Sequence, residues 1–234
     1  MNLYVSTAKG FETPTLAEVA YRRESSGVNL ALQASDNRQW ETGLKWQTDT
    51  LTGSAALFQV NSDNELMVDI SEGGRTSYRN AARTQRTGFE LQLNWQQTAW
   101  LKHAVGAHVI NATFKRDELS GKHLPGVAGK QLSWRLEAQP WQHDTELNMT
   151  MSYRSKVFTD DSNTDSAPAA LLIDLTAIHR QQWQQLSFSY WLAINNLTDK
   201  AYVGSVIVNQ SNGRSFEPAP GREASAGISV TYQW

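Results

Sequence analysis

The 234-residue chain has no cysteine and only 6 prolines. Without thiols there is no disulfide framework and no thiolate metal site, and the redox compartment stays open. The chain also lacks any run near the roughly 20 apolar residues that a membrane helix needs. Charge is close to balanced, 21 Lys and Arg against 23 Asp and Glu, so there is no basic footprint for a nucleic-acid partner. The histidines His103, His108, His123, His143 and His179 show no metal-ligand spacing. Asp160, Asp161 and Asp165 are clustered but lack the glycine and spaced acids of a calcium loop. With no nucleophile elbow or phosphate loop either, neither an enzyme nor a bound cofactor is expected. Met1-Asn2-Leu3 carries no basic or apolar leader.

What the chain has is alternation. In Leu186–Asn195, Leu186, Phe188, Tyr190, Leu192 and Ile194 fall on one face, and Ser187, Ser189, Ala193 and Asn195 on the other, with Trp191 the exception. In the closing segment Ala226, Ile228, Val230, Tyr232 and Trp234 oppose Ser225, Gly227, Ser229, Thr231 and Gln233. Successive strand side chains point to opposite sides, so both segments read as strands with one greasy and one polar face. The pattern recurs at Trp40–Trp46, Ala56–Val60, Phe89–Trp95, Val105–Val109, Leu132–Ala138, Leu147–Tyr153 and Leu171–Ala177. With a short strand at Leu3–Ala8, about ten strands are joined alternately by short turns and long polar loops, the up-and-down plan of a transmembrane barrel. The mean hydropathy of −0.50 fits such a barrel, because lumen-facing polar residues dilute the average. A soluble sandwich also alternates. The placement of tryptophans favours the barrel: Trp46, Trp95, Trp100, Trp141, Trp183 and Trp234 collect at the short turns or the chain end, the level of a membrane interface.

The residues also resemble a known family. Leu3-Tyr4-Val5-Ser6 through Gly10-Phe11, Pro14-Thr15-Leu16 and Glu18 is similar to the opening barrel segment of TonB-dependent outer-membrane receptors. Trp40–Lys45, Tyr78 and Asn80 through Leu91, His123–Val127, Asn195–Tyr202 and Pro220-Gly221-Arg222 resemble further landmarks in the same order. The resemblance implies an all-β, antiparallel up-and-down transmembrane barrel segment over residues 1–234, about ten strands of a larger barrel of about twenty-two. It further implies a C-terminal portion without plug or leader, from a truncated gene, a split frame or an excised fragment. The isolated chain is then expected to be an open sheet with unpaired edges at its first and last strands.

An intact receptor of this kind takes up a scarce ligand, most often a ferric siderophore, across the outer membrane of a Gram-negative bacterium. Its partners would be outer-membrane lipid, the barrel-assembly machinery, the TonB system through the missing plug, and a small ferric chelate. Val230, Tyr232 and Trp234 resemble the terminal assembly signal. Tyr21, Arg22, Arg23, Arg75, Arg116, His123 and Arg214 are loop groups able to meet an anionic chelate, or simply solvated side chains. Two other classes stay open: a self-contained small outer-membrane barrel, and a soluble carbohydrate-binding β-domain that stacks sugars on tryptophans.

Overall fold

A computed structural model of the chain describes residues 1–23, 27–140 and 144–233, without the side chain of Ala82. The strands are β1 (Asn2–Glu12), β2 (Ser35–Gln47), β3 (Leu51–Glu72), β4 (Arg75–Thr98), β5 (Leu101–Phe114), β6 (Lys130–Ala138), β7 (Thr145–Arg154), β8 (Val157–Phe158), β9 (Ser166–Ala167), β10 (Ala170–Trp183), β11 (Leu186–Asn195), β12 (Val203–Val206), β13 (Phe216–Pro218) and β14 (Glu223–Tyr232). One short helix, α1 (Leu16–Val19), lies between β1 and β2. Ten strands form one antiparallel sheet in the order β1-β2-β3-β4-β5-β6-β7-β10-β11-β14. Among the described residues β1 pairs only with β2 and β14 only with β11, so the sheet is open at both ends. The pairs β8–β9 and β12–β13 are small ribbons inside the long connections.

Register carries the alternation across the sheet. Leu44, Ala55, Leu91, Ala107, Leu132, Tyr153 and Leu171 stand side by side on consecutive strands and share a face. One residue along, Lys45, Ser54, Gln92, Gly106, Ser133 and Ser152 form the neighbouring row on the other face. A one-residue slip in any strand would move its apolar set to the polar side, which fixes the pairing. The greasy face is not packed against anything: Leu57, Leu132, Leu171, Leu192 and Ile228 are all exposed. Among the described residues the buried hydrophobics sit instead in two small clusters at the loop end, Ala81, Ala112, Phe114 and Leu124, and Ala128, Val157 and Ala167. A soluble sandwich needs a second sheet over the apolar face. Here that face is bare over its whole width, as a wall facing lipid would be.

The strands turn tightly at one edge, through residues 48–50, 99–100 and 184–185. At the other edge residues 13–34, 115–129, 155–169 and 196–222 are long connections. The second connection at that edge departs from expectation. The sequence reads as a strand from Gly53 to about Val68, a loop around Glu72–Arg75 and a next strand from Phe89, yet β3 and β4 run 22 and 24 residues and stay paired from Leu51↔Trp95 to Glu72↔Arg75, with one bulge between Val68 and Ile70. Only Gly73 and Gly74, both at positive φ, form the turn. At about 3.3 Å per residue β3 is about 70 Å long, more than twice the hydrocarbon thickness of about 30 Å. Its outer half extends past the wall, where Leu66, Val68 and Ile70 alternate with Glu65, Met67 and Asp69, and Met67 packs on the first of the two loop clusters.

Candidate functional site

The long connections converge on the outer half of the β3–β4 hairpin. The 196–222 segment starts at β11, yet Asn209 Nδ2 donates to the Val68 carbonyl at 2.8 Å and its own carbonyl accepts from the Ser71 N–H at 3.0 Å. Five strand spacings, about 24 Å, separate β11 from β4 in the sheet, so this segment arches across the loop end. The 155–169 segment joins it: Asp161 accepts from Arg79 Nη2 at 2.8 Å and from Asn209 Nδ2 at 3.1 Å. Arg79 also faces Asp69 at 3.6 Å. Arg79 on β4 thus holds the 155–169 segment directly, and Asp161 passes that hold to the arching segment through Asn209.

The first connection is fixed to the same hairpin by Asn80. Its amide donates to the Gln33 carbonyl at 2.9 Å and the Asn64 carbonyl at 2.7 Å, and accepts from the Gln33 N–H at 2.8 Å. Thr15 caps α1, accepting from the Glu18 N–H while the Glu18 carboxylate takes the Thr15 N–H, a reciprocal capping box. At the base of the last connection, buried Asn196 accepts from the Lys200 N–H and donates to the Lys200 carbonyl, and Asp199 accepts from the Arg222 N–H at 2.9 Å. The Asn196 side chain is therefore spent inside the loop.

The expected ligand residues fall into four places. Tyr21, Arg22 and Arg75 line one recess of about 360 Å³, with the Arg75 guanidinium 5.3 Å from the Tyr21 ring centroid. Arg23, beside them, faces Asp69 at 3.6 Å. Arg116 lies in a separate recess of about 460 Å³ with Arg79 and Arg83. His123 stacks on Phe158 at the other side of the loops. Arg214 is exposed in the arching segment. Tyr21, Arg22, Arg23 and Arg75 are brought together in one recess, which Glu72 also lines; Arg116, His123 and Arg214 are not part of it.

The tryptophans sit as follows. Trp95 stacks on His103 at 5.2 Å, and His103 on Trp134 at 6.1 Å, on the apolar face near the tight turns. Trp100 occupies the 99–100 turn, and Trp183 ends β10 opposite Leu186, itself opposite Tyr232. The Trp46 ring lies over Gly53. Trp141, His143 and Trp234 lie outside the described residues. Trp191 departs from the alternation because its ring occupies the space left by Gly227 on the polar face, where a Cβ would sit 2.5 Å from Nε1.

The acidic loop uses its carboxylates inward. Asp160 accepts from the N–H groups of Thr164 and Asp165 at 2.9–3.1 Å. Burial alone would push its carboxyl pKa up, but these backbone donors outweigh burial and hold it below the ordinary value. Among the described residues no group of three or more His, Asp or Glu is placed to hold a metal ion. Below the loops, the polar face has a cavity of about 580 Å³ lined by Glu90, Gln92, His108, Gln131 and Arg154. Arg154 Nη2 donates to the Val203 carbonyl at 2.8 Å, tying wall to roof.

Sequence reasoning missed Arg79, Asp161 and Asn209. A lone Asn at φ +53 between loops leaves no periodic signal. Asn80 and Asn196 were visible only as landmark residues.

Residues 1–197 match the TonB dependent receptor-like β-barrel family. The ferrioxamine B receptor of Salmonella typhimurium is 25% identical over 217 residues, covering 86% of this chain and 28% of the relative. An uncharacterized TonB-dependent receptor of Haemophilus influenzae is 25% identical over 194 residues, 79% of this chain and 56% of the relative. The siderophore receptor PiuA from Acinetobacter baumannii superposes with a TM-score of 0.76 at 21% identity, over 97% of this chain and 33% of that one. The chain thus spans about a quarter to a half of its curated relatives. A single amphipathic sheet, roofed at one edge by long connections and matched by that family over most of its length, belongs to the TonB-dependent receptors, as an unclosed part of their β-barrel.

Proposed function

We propose that residues 1–234 form the C-terminal part of the barrel of an outer-membrane importer in a Gram-negative bacterium. Its cargo is a scarce, bulky anionic chelate, a ferric siderophore in the first instance, and its energy comes through the TonB system. The observation that carries the cargo assignment is the recess of Tyr21, Arg22, Arg23 and Arg75, three guanidinium groups and an aromatic face against one carboxylate, Glu72, at the loop edge of a polar wall. Guanidinium groups bind carboxylate and hydroxamate oxygens with charge-assisted hydrogen bonds. The ferrioxamine B receptor among the relatives supports a ferric siderophore as the cargo class, and the charge of the recess selects an anionic chelate as the first probe.

In this reading the apolar face meets lipid, and Trp46, Trp95, Trp100, Trp141 and Trp183 anchor the wall at the interface beside the tight turns. Val230, Tyr232 and Trp234 serve as the signal read by the barrel-assembly machinery. Contact with TonB falls to the family's plug, not to the wall.

The test is binding and uptake of radiolabelled ferric citrate, an anionic carboxylate chelate, by cells expressing the receptor that contains this wall. Arg22→Gln with Arg75→Gln should weaken binding by about tenfold or more, the scale of charge-assisted hydrogen bonds. Dissipating the proton gradient should stop uptake but not binding. Unchanged binding in the double variant would remove the cargo site, and uptake that survives the loss of the gradient would remove the coupling.

A further inference from the structure

The apolar face carries a groove of about 800 Å³ at its loop end. Its floor is Trp40, Leu57, Phe89 and Val109, which register and strand alternation put on the side of the Leu44–Leu171 row. Leu57 is 53% and Val109 43% exposed, so the floor lacks cover. Its rim comes from the 115–129 connection, the start of β6 and the segment after β7. Lys156 Nζ lies 4.5 Å from the Phe158 ring centroid, and His123 stacks on the same ring at 5.6 Å with planes 12° apart. The Ser155 N–H donates to the Lys130 carbonyl at 2.9 Å and the Lys130 N–H to Ser155 Oγ at 3.0 Å. That pairing fixes Lys130 next to the strand end that carries Lys156. Among the described residues no Asp or Glu lines the groove, although the chain as a whole has slightly more acids than bases.

The arrangement is selective for an amphiphile. A free anion would make no use of an aromatic and aliphatic floor, and a plain hydrocarbon chain would make no use of two lysines without counter-charge. An acyl chain with an anionic head satisfies both, burying apolar area on the floor while the head neutralises the rim. The site lies on the face assigned to lipid and at the end of the long connections, which the importer reading turns toward the cell exterior. We propose that this groove holds one phosphate-bearing lipid of the outer leaflet, its acyl chain along Trp40, Leu57 and Phe89 and its phosphate between Lys130 and Lys156. The proposal rests on the membrane-wall reading above.

Native mass spectrometry of the full chain in detergent micelles tests it, with micelles doped with phosphatidylglycerol, with phosphatidylcholine, or with inorganic phosphate alone. The expected result is one retained phosphatidylglycerol, little phosphatidylcholine, and no displacement by millimolar phosphate. Lys130→Gln with Lys156→Gln should lower retention by about 30-fold, from a factor of about five for each lysine at an anionic lipid surface, and Lys130→Arg with Lys156→Arg should restore it. Both lysines are exposed, so strand content by circular dichroism should be equal in all variants. Equal retention of the two lipids, displacement by free phosphate, or retention unaffected by the glutamines would overturn the lipid site and leave the wall intact. A wild-type chain with full strand content that stays outside the micelles would overturn the wall reading and the site with it.

Discussion

Gly53 and Gly227 show how single positions keep the wall thin. Each lies beside a tryptophan whose ring fills its missing side chain, so a Cβ there would sit 2.3 Å from the Trp46 ring and 2.5 Å from Trp191. Gly227→Val should therefore lower stability by about 1–3 kcal/mol, read as a shift of the denaturant midpoint in detergent. An unchanged midpoint would mean that Trp191 swings away freely. Asn196 acts differently: its side chain closes the base of the 196–222 segment through Lys200 while its N–H meets Asp174 at 2.7 Å. Asn196→Ala should cost about 1–3 kcal/mol, because buried backbone groups lose their partners, and the expected readout is faster amide exchange at Lys200. The landmark residues of the sequence turn out to be polar fasteners. Their short spacing was legible as a motif, but what they fasten was not, since Asn80 and Gln33 are 47 residues apart.

The connecting elements are held by a few long-range polar contacts. Arg79→Ala removes the contacts to Asp69 and Asp161 and should free the arching segment, raising tryptic cleavage at Arg214 by roughly tenfold. Cleavage at the wild-type rate would show that the Asn209 and Ser71 bonds suffice. The 159–169 loop adds a pH dependence. The Asp160 carboxyl is held below its ordinary value, so its stabilisation is complete above the unfolded value, near pH 4, and fades as pH falls through the folded one. Exchange protection at Thr164 should be flat from pH 5 to 8 and drop only in acid; Asp160→Asn should have weak protection throughout. Strands inside the wall were legible because one face must be apolar, but in β3 the alternation marks the wrong face: Ala56, Phe58 and Val60 share the polar side with Ser54, and Ala55 and Leu57 face out. Beyond Val68 in β3 and before Phe89 in β4 the strands were not legible, because polar and charged residues break the period there and the pairing leans on cross-strand ion pairs such as Arg83 with Asp63 and Arg86 with Glu65.

For the whole molecule, the ordering of ten strands and the tight and long edges follow from alternation and connection length, whereas the open ends were expected only from the resemblance to a larger barrel. What alternation could not supply is the roof, since contacts between segments more than a hundred residues apart, such as Ser71 to Val208, have no local pattern. The central claim is that one face of this sheet meets lipid and the other water. The absence of cysteine allows a single thiol to be placed anywhere without background. Spin labels at successive positions of Leu132–Glu137 in a bilayer, probed with oxygen and with a water-soluble nickel chelate, test the claim most directly. The account predicts a period of two, with Leu132, Trp134 and Leu136 open to oxygen and Ser133, Arg135 and Glu137 open to nickel. Uniform access to nickel along the strand would contradict it.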